Sequence, residues 1–336
     1  MIGWGLLSTA RINRRVLAGI AETDGAEAVA VASRDAQRAE TYARENGIPK
    51  AYMSYQALLE DPALQAVYIS LPNALHVEWT LRALEAGKHV LCEKPFSRRP
   101  DDVERAFELA DSKGLVLSEA FMWRHHPQTK MLSALVGEGA VGQPRLVRAA
   151  FGFQLASVHG PGDTRFSPEL DGGSLMDVGC YCINAIRLLA GEPTRVHGEQ
   201  ALGESGVDVS FAGTLRCEGD VLAQFDCGFV LPDRAALEVV GEEGSLVVGD
   251  PWHVRSPGIE LRRESAMQTE MITVEPANSY RLELEDLCAA IRGEAAPLLG
   301  RDDAIGQART IDALYGSAAH AGPADLPTPT SLGSVS

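Results

Sequence analysis

Over residues 1–120 the chain alternates short apolar runs with amphipathic stretches, and few folds accept that rhythm. The apolar runs are Ile2–Leu7, Ala28–Ala32, Ala66–Leu71, His89–Cys92 and Leu115–Ser118, with a short extended piece at Tyr52–Tyr55. Between them Ala10–Ala21, Asp35–Asn46, Ala74–Ala86 and Pro100–Ser112 carry helical spacing, and Gly47, Gly87 and Gly114 stop three of these helices. Strands separated by helices of roughly 10–15 residues make βαβ units, whose parallel sheet is covered on both faces.

Beyond residue 120 the rhythm changes. His126–Val136 reads as a helix and Arg145–Gln154 alternates at period two. A Gly/Pro/Asp-rich stretch, Ser157–Gly173, leads into a helix at Ser174–Leu189. From Gly206 to Val274 strand-like runs follow one another: Asp208–Arg216, Val221–Phe229, Ala236–Val240, Ser245–Val248, Ile259–Arg263 and Met271–Val274. Consecutive strands without intervening helices predict an antiparallel or mixed sheet. Helices at Tyr280–Arg292 and Arg301–Ala319 follow. The expected class is α/β. A parallel-sheet domain covers residues 1–120, and an α+β domain with an open, predominantly antiparallel sheet covers 121–336. The Pro/Ser-rich tail is expected to be disordered from about residue 322.

Composition narrows the function classes. The 336 residues suit two domains. No apolar run reaches the roughly 18–20 residues of a membrane-spanning helix. Met1-Ile2-Gly3-Trp4 carries no basic region ahead of an apolar stretch, so no secretory signal is expected. Lys plus Arg is 30 against 46 for Asp plus Glu, a formal charge of −16, which repels nucleic acids and anionic membranes. Cys92, Cys180, Cys182, Cys217, Cys227 and Cys288 form no C-x-x-C pair and read as reduced thiols of a cytoplasmic protein.

The first strand–helix turn has the features of a dinucleotide site. Gly3-Trp4-Gly5 belongs to the strand Ile2–Leu7, because a phosphate loop in that register would leave only two residues for the strand before it. The loop is then Ser8-Thr9-Ala10-Arg11-Ile12-Asn13, with Ser8, Ala10 and Asn13 in the three places usually held by glycine. Small residues there let the backbone approach a pyrophosphate at a helix N-terminus. After the strand Ala28–Ala32, where an NAD site of the Rossmann type places an acid for the ribose 2′-OH, stand Ser33 and Arg34. A hydroxyl and a guanidinium suit a 2′-phosphate, so NADP is the expected cofactor. Asp35, one or two residues late, leaves NAD possible.

Three further segments read together: Leu71-Pro72-Asn73 with His76, then Glu93-Lys94-Pro95, then Gly172-Gly173-Ser174-Leu175-Met176-Asp177-Val178-Gly179-Cys180-Tyr181. With Trp4–Ile12 and Glu119–Gln128, these resemble the glucose–fructose oxidoreductase / inositol dehydrogenase / MocA (Gfo/Idh/MocA) family over most of the chain. The pattern is most similar to the branch of NADP-dependent xylose (aldose) dehydrogenases and dihydrodiol dehydrogenases. Inositol-dehydrogenase types place a His four residues after the Asp, and this chain has Tyr181 there. The resemblance implies an N-terminal Rossmann domain. It also implies oxidation of a sugar, a cyclic aldose such as xylose or glucose, by NADP. Reduction of a keto-sugar, oxidation of a trans-dihydrodiol, and a non-catalytic dinucleotide-binding sensor are the alternatives. It places Ser8, Thr9, Ala10, Arg11, Ile12, Ser33, Arg34, Leu71, Pro72, Asn73, His76, Glu93 and Lys94 at the cofactor. Trp123, Arg124, Arg165 and Asp177 fall at the substrate, although Trp123 equally suits a core. A homodimer or homotetramer through the sheet residues Val209–Val248 is expected, because relatives pair through that face.

The chemistry assigns roles. Oxidising an alcohol needs a proton acceptor within hydrogen-bond reach, and Tyr181 is the candidate. A phenol titrates near 10, and a neighbouring cation favours the phenolate. Lys94, at the carboxyl end of a parallel strand where open α/β sheets bind ligands, is the candidate cation. Asp177 and Tyr181 are at i and i+4, so they are expected on one face of the helix Ser174–Leu189. Asp177 there orients a sugar hydroxyl or pairs with Lys94. The adjacent His125 and His126 lack the spacing of a helical metal pair, and no metal is expected.

Overall fold

The structure, a computed structural model, describes residues 1–263 and 268–327. They fall into two compact units. The first comprises residues 1–127, 169–171 and 277–308; the second comprises 128–168, 172–276 and the residues from 309 onward. The division at residue 120 therefore misses a return of the chain: residues 277–308 belong with the first unit. Among the described residues no helix is long and apolar enough to cross a membrane.

The first unit is built on six parallel strands, β1 (Ile2–Leu7), β2 (Ala26–Ala32), β3 (Lys50–Tyr52), β4 (Ala66–Ile69), β5 (His89–Glu93) and β6 (Leu117–Ala120), in the order β3-β2-β1-β4-β5-β6. The five helices between them are α1 (Asn13–Glu22), α2 (Ala36–Asn46), α3 (Tyr55–Leu59), α4 (His76–Glu85) and α5 (Pro100–Lys113). This is the doubly wound order in which ligands bind outside the carboxyl ends of the strands. All six residues of β1 are buried, as expected of a central strand covered on both faces. Local chemistry sets the helix ends. The Asp35 carboxylate caps α2 by accepting from Arg38 N at 2.9 Å, and Pro100 opens α5 with Asp101 and Asp102 in its first turn. Helix α3 escaped the sequence reading because five residues are too few to show a period, although Ser54 caps it by accepting from Ala57 N.

The second unit opens with α6 (Pro127–Gly137), β7 (Pro144–Gln154), α7 (Leu155–His159) and α8 (Cys180–Ala190). Strands β8 (Pro193–Leu202), β9 (Asp208–Cys217), β10 (Leu222–Gly228), β11 (Val230–Gly241), β12 (Gly244–Val248), β13 (Gly258–Arg263) and β14 (Gln268–Thr273) follow. After α9 (Ser279–Ile291) and α10 (Arg301–His320) comes β15 (Ala324–Asp325). Nine strands form one sheet, in the order β14-β13-β12-β11-β7-β10-β9-β8-β15. Every pairing is antiparallel except β7 with β10. Along β9, Phe211, Gly213 and Leu215 are buried while Ala212, Thr214 and Arg216 are exposed. On that outer side Arg148 pairs with Glu238 at 3.3 Å and Arg234 with Asp226 at 2.8 Å.

Strand β8 was not read from sequence, since Thr194-Arg195-Val196-His197-Gly198-Glu199 is mostly polar or small. That omission explains a second difference. The tail expected to be disordered from about 322 instead adds β15 to the edge of β8, Ala324 opposite Val196, and Leu326 N donates to Thr194 O at 2.8 Å. An exposed edge leaves backbone groups unpaired, and the tail covers part of it. Residues 328–336 lie outside the described residues.

One buried charge problem stands out in the first unit. Glu283 on α9 is 3% exposed, and its Oε1 has no hydrogen-bond partner among the described residues. Burial, then the neighbouring carboxyls of Glu93 and Asp286, push its carboxyl well above the usual range. The folded state therefore holds a proton that the unfolded chain releases above a pH of about 4.3. Stability should fall as pH rises through that window, by up to about 1.4 kcal/mol per pH unit, until the folded-state value is passed. Glu283→Gln lacks the titration. Its melting temperature is expected to fall less steeply than wild type between pH 5 and 8, and parallel melting curves would mean that Glu283 is ionised in the native protein.

Candidate active site

In the first unit, β1 ends at Leu7 and the chain turns through Ser8 with φ +140°. A non-glycine residue seldom adopts that conformation, and here side-chain bonds hold it. Ser8 Oγ donates to Ser70 O at 3.0 Å, accepts from Ala10 N at 3.1 Å and lies 2.8 Å from Ser70 Oγ. Asn13 is completely buried. Its Nδ2 donates to Ser8 O at 2.8 Å, and its Oδ1 accepts from Ser70 Oγ at 2.6 Å. Asn13 thus pins the loop to the end of β4, rather than giving a glycine-like close approach. Thr9, Ala10, Arg11 and Ile12 form the turn into α1, and all four are partly or fully exposed.

Beside this turn lies a cleft of about 450 Å³ lined by Thr9, Arg11, Arg14, Asp35, Gln37, Arg38, Thr41, Tyr42 and Glu45. Its three guanidiniums face two carboxylates, so it is locally cationic on an acidic protein. Ser33 is buried and its Oγ accepts from Asp35 N at 3.2 Å, a local turn bond. Arg34 is exposed at the head of the same loop, but it does not line the cleft. Arg38, missed from sequence, stands four residues after Arg34 and does line it. The signal was present in Ser33-Arg34-Asp35-Ala36-Gln37-Arg38, where a helix capped by Asp35 carries Arg38 in its first turn.

At the end of β4, Leu71 is buried and Pro72 and Asn73 are partly exposed. Asn73 Nδ2 donates to Asp171 O at 2.8 Å. His76 opens α4. It is fully buried, with Nδ1 2.9 Å from Pro95 O and Nε2 2.8 Å from Leu71 O, and burial holds its imidazole below the ordinary value. Its task is to tie the two strand-end loops together. At the end of β5, Glu93 accepts from the Tyr68 hydroxyl, Lys94 follows half-buried, and the Lys94–Pro95 peptide is cis. The buried Glu119 carboxylate accepts from Phe96 N at 2.8 Å and fixes the far side of the turn. Trp123 is 1% exposed, and Arg124 donates to Asp303 at 3.2 Å in the same unit. A carboxylate from α10 therefore occupies the guanidinium expected to bind substrate.

In the second unit the expected residues meet. Arg165 donates through Nε and Nη2 to the two oxygens of Asp163, at 2.9 and 3.1 Å, and through Nη1 to Asp177 Oδ2 at 3.0 Å. Burial alone would depress this guanidinium; Asp177 and Asp163 outweigh it and push it up. Arg165 is therefore bound to Asp177 as well as to its neighbour Asp163. The regular helix expected from Ser174 is not what forms. Leu175–Gly179 winds as a π turn before α8 begins, so Asp177 and Tyr181 do not share the 3.6-residue grid. The glycines before it serve packing: a Cβ on Gly172 would lie 2.3 Å from Arg165 O. Tyr181, half-buried, packs edge-on to Phe151 at 5.6 Å and beside Trp252 at 5.8 Å. His253, on the same loop as Trp252, stands edge-on to Phe151 at 5.5 Å. Phe151, Asp163, Trp252 and His253 were not foreseen, because they come from strands and loops whose approach to Tyr181 has no local signal. Among the described residues no group of three or more His, Cys, Asp or Glu could hold a metal ion.

Comparison with known proteins agrees with this layout. A family model described as an oxidoreductase family with an NAD-binding Rossmann fold matches residues 1–121, and the GFO/IDH/MocA C-terminal domain matches 129–247. The chain is 38% identical over 317 residues to D-xylose 1-dehydrogenase (NADP(+)) 2 of Haloferax volcanii, covering 94% of this chain and 97% of that one. It is 31% identical to the trans-1,2-dihydrobenzene-1,2-diol dehydrogenase of Xenopus tropicalis over 74% of this chain and 76% of the relative. Among solved structures it is similar to a 3-ketoreductase from Actinomadura kijaniata in complex with NADP and TDP-benzene. The TM-score is 0.88 at 30% identity, covering 94% and 97% of the two chains.

Proposed function

Because the chain belongs to the Gfo/Idh/MocA family of oxidoreductases, we propose that it oxidises a cyclic aldose such as xylose or glucose with NADP, using Lys94 and Tyr181 in proton transfer. The observation that carries the reading is the Arg165–Asp177 ion pair just ahead of Tyr181. Arg165 holds the Asp177 carboxyl through Oδ2, and the group so held is the one that accepts from a sugar hydroxyl. Tyr181 supplies the atom that takes the hydroxyl proton, and its ring is held by Phe151 and Trp252. Lys94 supplies positive charge for the oxygen losing that proton. His253, exposed beside Phe151, gives the sugar ring a polar contact, while Trp252 and Trp123, each 1% exposed, belong to the cores of their own units.

The residues beside the first turn fit NADP. The cleft holding Arg11, Arg14 and Arg38 is cationic and open, and with Arg34 nearby it suits a 2′-phosphate better than a bare ribose. Ser8 through Ile12 would hold the pyrophosphate. When bound, NADP would supply the hydride acceptor for the substrate carbon, and its reduced form the donor in the reverse direction. That direction gives the second reading, reduction of a keto-sugar, which the likeness to a 3-ketoreductase favours. Oxidation of a trans-dihydrodiol, as in the relative named for it, would use the same groups. Incubation with NADP⁺ and a panel of sugars and dihydrodiols, read by reduced-cofactor absorbance, decides among these. No turnover of any of them would leave a dinucleotide-binding sensor.

Two sets of variants test the assignments. Arg38→Ala and Arg34→Ala are each expected to weaken NADP binding by about 1.5–3 kcal/mol while leaving NAD almost unchanged. Equal losses for both cofactors in fluorescence titration would remove the 2′-phosphate assignment. Tyr181→Phe keeps the ring and removes only the phenolic oxygen. Its kcat should fall roughly 10²–10⁴-fold with NADP affinity near wild type. Lys94→Met should fall at least as far, and the double variant little further, since groups acting as one unit are not additive. If Tyr181→Phe keeps most of its activity, Tyr181 is a packing residue.

A further inference from the structure

The π turn that carries Asp177 begins on a carboxylate from another part of the chain. Ser174, the residue that would normally cap such a winding, makes no capping bond with its own side chain. Instead, Asp208 at the start of β9 accepts from Ser174 Oγ and from Leu175 N, both at 2.7 Å, through the same oxygen. The other oxygen of Asp208 accepts from the Tyr315 hydroxyl of α10 at 2.8 Å. Asp208 is 2% exposed and Ser174 completely buried, so no water shares these bonds on equal terms. A carboxylate on the first N–H of a helical winding also complements its dipole.

The surroundings leave the winding no freedom to slide. Gly173 has φ +119°, and a Cβ there would lie 2.2 Å from Asp208 Oδ1. At the other end, a Cβ on Gly179 would lie 2.7 Å from Cys227 Sγ. The backbone is therefore seated on β9 at its start and on β10 at its end, and the π turn spans the interval between the two seats. Moving the first seat moves Asp177 and, past it, Tyr181.

We propose that Asp208 is a positioning residue, which fixes where the Asp177 carboxylate and the Tyr181 phenol stand by seating the first residues of the π turn. The inference rests on the reading of Tyr181 as the proton-transfer group. Asp208 touches no reacting atom; it acts through Ser174 and Leu175.

The test uses the full chain with NADP⁺ and a sugar from the panel that it oxidises. Asp208→Asn keeps the shape, removes the negative charge that faces the first N–H of the winding, and keeps its third bond only if the Tyr315 hydroxyl turns round to accept. Its kcat is expected to fall about 10- to 100-fold, the scale of an ångström-sized misplacement. The alkaline-rising limb of its kcat/KM profile should shift, while NADP affinity, set by residues of the first unit, stays within about twofold. Tyr315→Phe keeps the ring against Phe211 and removes one bond, so it folds even if Asp208→Asn does not, and it should show a smaller loss of the same kind. A lowered melting temperature with unchanged kcat and pH limb in both variants would overturn the inference and make Asp208 a structural anchor only. Tyr181→Phe, measured alongside, separates the two levels. Loss of activity there with wild-type kcat in Asp208→Asn and Tyr315→Phe sinks the positioning role alone. Retained activity in Tyr181→Phe sinks the reading beneath it and this inference together.

Discussion

The first unit depends on how tightly β1 is enclosed. Its six residues are all buried, and the strand has β2 on one side and β4 on the other. Two of the six are glycines because nothing larger fits. A Cβ on Gly3 would meet Ala63 O at 2.4 Å, and one on Gly5 would meet Leu58 and Leu64 side chains at 2.8 Å. Those glycines look like the start of a phosphate-binding loop, but their reason is packing within the sheet. The close fit fixes where β1 stops, at Leu7, and so where Ser8 must turn. Ser70, one residue past the end of β4, is the neighbour to which Ser8 and Asn13 are bonded. The cofactor loop is in this sense a product of the sheet: a change at Gly3 or Gly5 would displace it without touching any residue in it.

Legibility in the sequence followed how local each signal was. The parallel sheet was readable because a continuous apolar run followed by an amphipathic helix is written within about 30 residues of chain. Asp35, Gly47 and Gly114 mark helix ends by their own chemistry and stand where expected. Strand β8 was invisible because its buried positions, Pro193, Val196 and Gly198, alternate irregularly with exposed polar residues across a register shift. The π turn was invisible for a different reason. Its two ends meet Asp208 and Cys227, about 30 and 50 residues downstream, and no local pattern encodes the wider turn between them.

The candidate site shows the same division. The types Lys94, Asp177, Tyr181 and Arg165 could be picked out because motifs mark them, but the partners that decide what each can do could not. Arg124 and Arg165 are both arginines at plausible substrate positions. The first is bound by Asp303 and the second by Asp163 and Asp177. The second pairing involves Asp177, the carboxyl just ahead of Tyr181, and the first involves no other residue of the candidate site. His76 makes the point from the other side. A histidine near a strand end reads as a ligand contact from its position alone, and its bonds to Leu71 O and Pro95 O, which tie two loops together, have no local signal.

Charge bears differently on a long polyanion and on a small anion. A net charge of −16 opposes any long polyanion, since a phosphate backbone samples a broad stretch of surface. The 2′-phosphate of a dinucleotide samples a few ångströms. At physiological salt, screening over roughly 8 Å cuts off most of the distant acidic surface. What remains is the local field of Arg11, Arg14 and Arg38 against Asp35 and Glu45. Asp35 is in addition committed to the first turn of α2 through Arg38 N, so part of its charge is already answered by the helix. The cleft can therefore be cationic on an anionic protein. The same acidic surface then favours a single small anion seated among guanidiniums over a polyanion that must lie across the carboxylates around them.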